Sequence, residues 1–430
     1  MTTLPPLRIA VAGLGTVGVG VIKMIQAHAE MIGQRAGRAV AITAVSARDP
    51  NKARGVDLSN YAFEQDPVAL AKRADIDLFV EVIGGSEGPS KEAIEVAMAH
   101  RKHVVTANKA LLAEHGAELA ALAETNGVAL RFEAAVAGGI PIVKALTEGL
   151  AGNAITRVMG VMNGTCNYIL TTMEETGAAY EDVLADAQAL GYAEADPTFD
   201  VGGFDAAQKL ALLASTAFGA QVDYAGVKIE GIERVSLTDI RQAASMGYRV
   251  KLLGVARMNG EALEQRMQPC LVPANSPIGK LEGVTNMVVV EGDFVGQTVY
   301  QGPGAGEGPT ASAIWGDIID VARGVRTPAF GVETQTLKKL APAPTGVDAA
   351  YYLRFLVADA PGVLARISDA LGSHQISINE MSQPKHDGPE AQILIVSHPC
   401  KRADLDKALA QIEGLEICKS APVALRIERV

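Results

Sequence analysis

The residues from Arg8 to Gly18 read RIAVAGLGTVG, a short β-branched and alanine run followed by three spaced glycines. The stretch after them, VGVIKMIQAHAE, repeats apolar positions at helical spacing. Gly13, Gly15 and Gly18 therefore stand at a strand-to-helix turn, the context in which a G-x-G-x-x-G match carries weight. In such a turn Gly13 and Gly15 let the backbone approach a pyrophosphate, and Gly18 lets the helix pack closely on the strand. The phosphates meet free N–H groups of the first helical turn, where Thr16 and Val17 lie. A merely structural glycine-rich turn is the bland alternative. The stretch predicts an α/β protein built on a Rossmann-type, doubly wound parallel sheet that binds a dinucleotide.

The second strand reads AVAITAVSARDP. An NAD-selective fold places an acid at the end of this strand, where it accepts from the ribose 2′-hydroxyl. Here Ser46 and Ala47 hold that place, and Arg48, Lys52 and Arg54 follow. The basic residues suit a 2′-phosphate and predict NADP, Asp49 keeps NAD open, and a solvated charged loop is the plain reading. Next come a strand at Asp77 to Ile83, the turn Gly84-Gly85, a helix near Pro89 to His100, and a strand at His103 to Thr106 ending in Ala107-Asn108-Lys109. This βαβ alternation fits right-handed crossovers. Functional residues gather beyond the carboxyl ends of such strands, which puts Lys109 at the cofactor edge.

The chain has 430 residues, enough for two or three domains, since single cores rarely grow past roughly 250 to 300 residues. Its 48% hydrophobic content with only 4% aromatics points to Ala, Val, Leu and Ile packing, as parallel sheets require. A net charge of −11 without a long basic run argues against a nucleic-acid partner. No apolar run approaches the roughly 20 residues that span a membrane, and the first residues lack a signal-peptide pattern, so the expected location is cytoplasmic. Cys166, Cys270, Cys400 and Cys418 are scattered, which argues against a zinc site and a disulfide framework. Cys166 reads as a packed thiol.

A strand at Val128 to Phe132 leads into EAAVAGGIPIV, where Glu133 precedes a glycine-rich bend and Pro141. A carboxylate with converging carbonyls makes an all-oxygen site for a hard cation, but the residues alone favour a hinge between domains. Further on come a strand at Ala154 to Met162, the turn Asn163-Gly164-Thr165, a helix, and a second helix at Tyr180 to Leu190. The acidic block GYAEADPTFDVGGFDAAQKL then supplies Glu194, Asp196, Asp200 and Asp205 before Lys209. Asp205 and Lys209 are four apart on a helix that is otherwise Ala, Leu and Phe, so they share one narrow polar stripe. A buried Asp–Lys pair is a weak source of stability and marks chemistry, whereas an ordinary exposed ion pair is the competing reading. Two β-rich segments follow, Val250 to Met258 and Met287 to Tyr300. After them QGPGAGEGPTASAI, with Gly302, Gly304, Gly306 and Gly308, makes another ligand-hugging loop, and Pro309 begins a helix expected to return to the first domain.

Lys338 to Asp348, rich in Pro and Ala, reads as a linker. The tail after it follows the order βαββαβ, the ferredoxin-like pattern, with a helix starting at Pro361. Pro361 suits the first helical position, and the helix start together with Asn379 and Gln383 offers a seat for a carboxylate. The tail carries no catalytic cluster, so it reads as regulatory or dimerising, and deletion from about Ala349 is expected to leave catalysis measurable. The expected domains are 1–135 with about 305–340 for the dinucleotide, 136–304 for substrate and dimerisation, a linker at 341–348, and 349–430 for the tail.

GLGTVG, TANK at 106–109, EAAVAGGIP, NGTCNYIL at 163–170, the acidic block, GPGAGEGPTASA and DAPGVLA together make the chain resemble monofunctional homoserine dehydrogenase with a C-terminal ACT domain. The resemblance covers nearly the whole chain, and no kinase region precedes the first strand. It implies NAD(P)H-dependent reduction of aspartate 4-semialdehyde to homoserine, on the way to threonine and methionine. By position it implies Lys209 and Lys109 as acid/base lysines with Asp205 supporting Lys209. Glu194 and Asp200 then meet the substrate amino group, and Gly164, Thr165 and Tyr192 line the pocket. Gly84, Gly304 and Gly306 join the cofactor cradle. The resemblance also implies a monovalent cation, Na+ or K+, held by Glu133 and the carbonyls of Val136, Gly138 and Ile140, against the hinge reading above. An effector at the ACT domain, threonine, and a homodimer or homotetramer are further implications. Another NAD(P)-dependent semialdehyde oxidoreductase and a non-enzymatic nucleotide sensor are the competing readings; the first leaves NGTCNYIL with the acidic block unexplained, and the second has no need of the Asp205/Lys209 stripe.

Overall fold

The computed structural model describes residues 4–343, 346–384 and 388–430. The chain opens with β1 (Leu7–Ala12), α1 (Thr16–Ala36), β2 (Val40–Ser46), β3 (Ala62–Glu64), α2 (Pro67–Lys72), β4 (Leu78–Glu81), α3 (Pro89–Ala99), β5 (His103–Thr106), α4 (Lys109–Asn126) and β6 (Leu130–Arg131). The middle continues with α5 (Ile142–Lys144), β7 (Ile155–Val161), α6 (Gly164–Thr176), α7 (Tyr180–Ala189), α8 (Thr198–Val201), α9 (Phe204–Phe218), β8 (Lys228–Ile229) and α10 (Leu237–Ser245). Then come β9 (Tyr248–Asn259), β10 (Ala262–Pro273), β11 (Thr285–Gly292), β12 (Gly296–Pro303) and α11 (Glu307–Arg323). The tail is β13 (Ala341–Pro342), β14 (Tyr351–Ala358), α12 (Val363–Ser373), β15 (Ile378–Ser382), β16 (Glu390–Ser397), α13 (Arg402–Gly414) and β17 (Val423–Ile427).

Two compact units emerge: Met1–Met162 with Asp205–Val227 and Thr285–Leu340, and Asn163–Phe204 with Lys228–Val284 and Ala341–Val430. In the first, six parallel strands run in the order β3-β2-β1-β4-β5-β6, so helices cover both faces and the central strands are mostly apolar, Glu81 at the end of β4 being the buried charge among them. Ile9 to Ala12 and Leu78 to Glu81 are all fully buried. This is the doubly wound sheet expected from the first glycine turn. The helix foreseen at Pro309 starts two residues earlier, at Glu307, and α11 lies against α1, where the Trp315 indole N–H donates to the Val21 carbonyl at 3.0 Å. The first unit also holds an antiparallel run β7-β11-β12.

In the second unit β9 and β10 form a long antiparallel hairpin. The β10 arm is absent from the sequence reading. Its alternation is masked because Glu264 and Arg266 are buried, at 7% and 5% exposure, as an ion pair that Glu428 of the tail completes. The tail's own strands run β17-β14-β16-β15 with α12 and α13 packed on them over a buried cluster that includes Leu353, Phe355, Ile367, Ile395 and Leu405, the ferredoxin-like arrangement expected. Its first helix starts at Val363, not Pro361, because Gly362 turns the chain with a φ of +86° and caps the helix. The supposed linker is laid down rather than loose: Ala341–Pro342 pairs with β10, while Pro344 and Thr345 lie outside the described residues.

The tail is not a detachable module. Strand β17 pairs in parallel with β10, Cys270 opposite Arg426. Arg266 and Arg426 both donate to Glu428, and Arg426 also bonds the Tyr351 hydroxyl at 3.1 Å. A second tie runs through Asp239, fully buried at the start of α10, which accepts from the Tyr352 hydroxyl at 2.9 Å and the Arg354 Nε at 2.7 Å while closing a capping box with Ser236. Removing the tail takes Arg354 from Asp239 and Glu428 from Arg266, while the Glu264–Arg266 pair remains. Loss of one partner from a buried ion pair costs about 3–5 kcal/mol, so a deletion from Ala349 is expected to destabilise the remainder.

Among the described residues no helix is long and apolar enough to cross a membrane.

Candidate active site

The first glycine turn is shaped by contact. A Cβ on Gly13, whose φ is +101°, would sit 2.5 Å from the Val82 carbonyl oxygen, and one on Gly18 would sit 1.9 Å from the Gly13 carbonyl oxygen. Space beside Gly15 is open, and Gly15 caps α1 without a side-chain hydrogen bond, so the first-turn N–H groups around Thr16 and Val17 face that opening. The basic loop after β2 divides into two roles. Arg48 and Lys52 are exposed. Arg54 is spent on the backbone: its Nε donates to the Leu14 carbonyl at 3.2 Å, and its terminal nitrogens donate to the Lys52 and Asp49 carbonyls at 2.7 and 2.6 Å. It braces the loop against the glycine turn.

At the carboxyl end of β4 the carboxylate of Glu81 is fully buried and accepts from the N–H groups of Ile83 and Gly84 at 2.8 and 3.0 Å and from the Thr106 hydroxyl at 2.6 Å. The turn at Gly84-Gly85 is thereby fixed to the end of β5. Asn108 caps α4 by accepting from the Leu111 N–H, and its amide donates to the Gly85 carbonyl at 2.7 Å and the Ser90 hydroxyl at 3.0 Å. Lys109 then begins α4.

Lys109 reaches Asp205, its Nζ 3.2 Å from Oδ1. The other carboxylate oxygen accepts from Lys209 Nζ at 2.7 Å, and Lys209 also donates to the Met162 carbonyl at 2.8 Å. Asp205 and Lys209 are 8% and 9% exposed, so the stripe is buried and the exposed-pair reading is excluded. An ammonium has three N–H groups. Two of those on Lys209 are engaged, which leaves one to donate.

In the second unit the NGTCNYIL motif opens α6. Asn163 caps it by accepting from the Cys166 N–H at 2.8 Å, and its amide donates to Asp200 Oδ1 at 2.7 Å. The Thr165 hydroxyl donates to the Tyr192 carbonyl at 2.6 Å, and the Tyr192 ring packs edge-on against Tyr168 at 5.1 Å. Cys166 is buried, its thiol on the Asp200 carbonyl at 3.2 Å, a packed thiol as expected. Asp200, Thr165, Gly164 and Tyr192 are thus brought together, whereas the Glu194 side chain is exposed.

The bend after β6 is buried. The Glu133 carboxylate accepts from the Val143 and Lys144 N–H groups at 2.9 and 2.8 Å, and its own N–H donates to Asp317 Oδ2 at 2.9 Å. Burial and the neighbouring Asp317 push the Glu133 carboxyl up to about 7, and burial does the same to Asp317. Among the described residues the carbonyls of Val136 and Gly138 accept no hydrogen bond, although both residues are buried, while that of Ile140 accepts from the Ile142 N–H at 2.8 Å. Carbonyls without a donor and a buried carboxylate on one bend are oxygen groups of the kind a hard cation takes. Gly304 backs this bend and lies against the Asn286 amide, and Gly306 caps α11.

Three family descriptions match this chain: homoserine dehydrogenase, NAD binding domain, over residues 13–133; homoserine dehydrogenase over 141–319; and ACT domain over 351–417. It is 42% identical over 433 residues to homoserine dehydrogenase of Neisseria gonorrhoeae, covering 99% of both chains. The chain belongs to the homoserine dehydrogenase family. Its relative from Bacillus subtilis is 39% identical over 98% of each chain. The crystal structure of a homoserine dehydrogenase from Thiobacillus denitrificans is similar at a TM-score of 0.93, with 40% identity and full coverage of both. A hyperthermophilic archaeal homoserine dehydrogenase in complex with NADPH matches at 0.64 and 26% identity, over 75% of this chain and 99% of that one. Like its family, the chain is an NAD(P)-dependent oxidoreductase of amino-acid biosynthesis, and its ACT domain points to an amino-acid effector.

Sequence reasoning for this homoserine dehydrogenase family member missed Glu81 and Lys251. Glu81 reads as one acid in an apolar strand, which is itself the signal, since a charge in the middle of a parallel sheet needs fixed donors. Lys251 is likewise one cation in a buried β-run.

Proposed function

We propose that the chain reduces L-aspartate 4-semialdehyde to L-homoserine with NADPH, a cytoplasmic step toward threonine and methionine. The observation that carries this reading is the buried Lys209–Asp205 pair joined by the half-buried Lys109, in which Lys209 retains one N–H among the described residues. When bound, NADPH would supply the hydride for the aldehyde carbon. As that bond forms, negative charge develops on the carbonyl oxygen, and Lys209 gives it a proton, with Lys109 as the second cation. Asp205 holds both ammonium groups in place. Glu194 and Asp200 are assigned to the substrate ammonium, with Glu194 turning in from its exposed position, and Gly164, Thr165 and Tyr192 line the pocket. Arg48 and Lys52 are assigned to a 2′-phosphate, with Gly84 and the Gly304–Gly306 loop beside the cofactor, and Na+ or K+ to Glu133 and the carbonyls of Val136, Gly138 and Ile140.

Threonine is the proposed effector at Asp359 to Val363, at the start of α12, and Asn379 and Gln383 stand as its further contacts. A homodimer or homotetramer is supported by β12, an edge strand, and by Phe294, 91% exposed at the hairpin tip. The deciding assay follows NADPH oxidation with aspartate 4-semialdehyde beside other small aldehydes. Comparable turnover of an aldehyde lacking the amino group would defeat the substrate assignment. Threonine added to the same assay should inhibit, and absence of both inhibition and binding would leave the tail a dimerising module.

A further inference from the structure

Lys251, in the middle of β9, is 2% exposed. Its ammonium donates to Asn167 Oδ1 at 2.9 Å and to the Leu281 carbonyl, both neutral acceptors. Among the described residues it makes no ion pair. Asn167 belongs to the NGTCNYIL motif one turn into α6, and its own amide donates to the Gly283 carbonyl at 2.7 Å. One buried cation therefore joins the first turn of α6 to the loop 281–284. That loop lies directly on Gly164: a Cβ there would meet the Val284 carbonyl oxygen at 2.6 Å. The other side of the same turn is held by Thr165 on the Tyr192 carbonyl.

Stability does not account for a lysine here. Burial holds its ammonium down to about 8, and the charges facing it largely answer one another. Arg249 on the same strand pairs with Glu174 of α6 at 3.3 Å and with Glu282 of the loop at 3.2 Å, and Glu175 is the remaining acid. An apolar side chain of similar length removes the cost of burying a charge but takes a donor from Asn167 Oδ1 and from the Leu281 carbonyl, so the two effects oppose each other.

We propose that Lys251 is a positioning residue for the aldehyde substrate: it fixes the loop 281–284 against α6 and so sets where Gly164 and Thr165 present themselves. The inference rests on the reading that Gly164 and Thr165 line the substrate pocket. Lysine does what an apolar residue does not, because its N–H groups draw carbonyls of two separate segments to one point. Small displacements of positioning groups are expensive in turnover, roughly 10²-fold for about 1 Å.

The test uses the full chain with Lys251→Met. Its melting temperature, the KM for NADPH, the KM and kcat for aspartate 4-semialdehyde, and amide hydrogen exchange over residues 281–284 are compared with wild type. The expected result is an aldehyde KM raised about tenfold or more, an unchanged KM for NADPH, a melting temperature lowered modestly at most, and faster exchange in the loop. An unchanged aldehyde KM overturns the proposal, as does a fall in melting temperature with both KM values rising together. Should the methionine variant fail to fold, Lys251→Gln, which keeps a donor without the charge, carries the same test, and an unchanged aldehyde KM in it is equally fatal. If wild type does not turn over aspartate 4-semialdehyde, the substrate reading fails on its own, while loop exchange in the variant still reports on the clamp.

Discussion

Lys209→Met is the sharpest perturbation of the reaction centre. It removes the N–H left for substrate and keeps a side chain of similar length on the buried face of α9. Losing one positioned proton donor lowers kcat by about 10² to 10⁴, roughly 3–5 kcal/mol in the barrier. The structural cost is smaller. The Met162 carbonyl loses its donor, worth about 1–3 kcal/mol when buried, but Asp205 keeps Lys109 at 3.2 Å, so its charge is not stranded. The expected outcome is a folded protein whose melting temperature falls modestly and whose affinity for NADPH is preserved. Turnover should collapse without a matching change in KM. Stopped-flow or steady-state loss of NADPH absorbance gives kcat, and fluorescence titration gives cofactor affinity. A variant with kcat near wild type refutes the assignment, and if Lys109→Met is the one that loses turnover, the roles of the two lysines are exchanged.

Replacing Arg48 and Lys52 by Ala should raise the KM for NADPH while sparing NADH; Arg54→Ala should instead weaken both cofactors and lower thermal stability, since it holds the loop to the Leu14 carbonyl, and equal effects from all three substitutions would sink the division. Glu133 has a raised carboxyl in the folded state, so between about pH 4.5 and 7 the native chain holds a proton the unfolded chain has released, and stability falls as pH rises through that window, by about 3 kcal/mol if nothing compensates. A cation bound beside it restores that loss, so K+ should raise the melting temperature more at about pH 8 than at about pH 5, and a K+ effect independent of pH would count against the site. Truncation before Ala349 should give insoluble or unfolded protein, whereas the same truncation with Asp239→Asn, which removes the charge that loses Arg354, should recover part of the solubility; an active, stable simple truncation contradicts the wiring through Asp239 and Glu428.

What was legible in the residues was local. The spacing of Gly13, Gly15 and Gly18 is a property of a few consecutive positions, and so are the four-residue step from Asp205 to Lys209 and the βαββαβ rhythm of the tail. The hidden parts depend on partners far along the chain. Lys109 is an ordinary lysine after a strand until α9 brings Asp205 to it. The β10 arm looks like a polar loop because its buried charges find Glu428, 162 residues away from Arg266. Arg54 reads as a phosphate ligand by type, but backbone carbonyls from its own loop claim it. At the tail helix, proline chemistry pointed to Pro361, while Gly362 decided the start because only its left-handed backbone makes the corner.

The buried ties between the tail and the β9–β10 hairpin also bear on inheritance. A gene that lost its last eighty or so codons in one event would leave Asp239 without Arg354 and Arg266 without Glu428, with Glu264 alone to answer Arg266. Lineages without the tail should therefore carry a compensating replacement at Asp239, and a graft of a foreign ACT domain onto this scaffold should succeed only when it brings equivalents of Tyr352, Arg354, Arg426 and Glu428 with it.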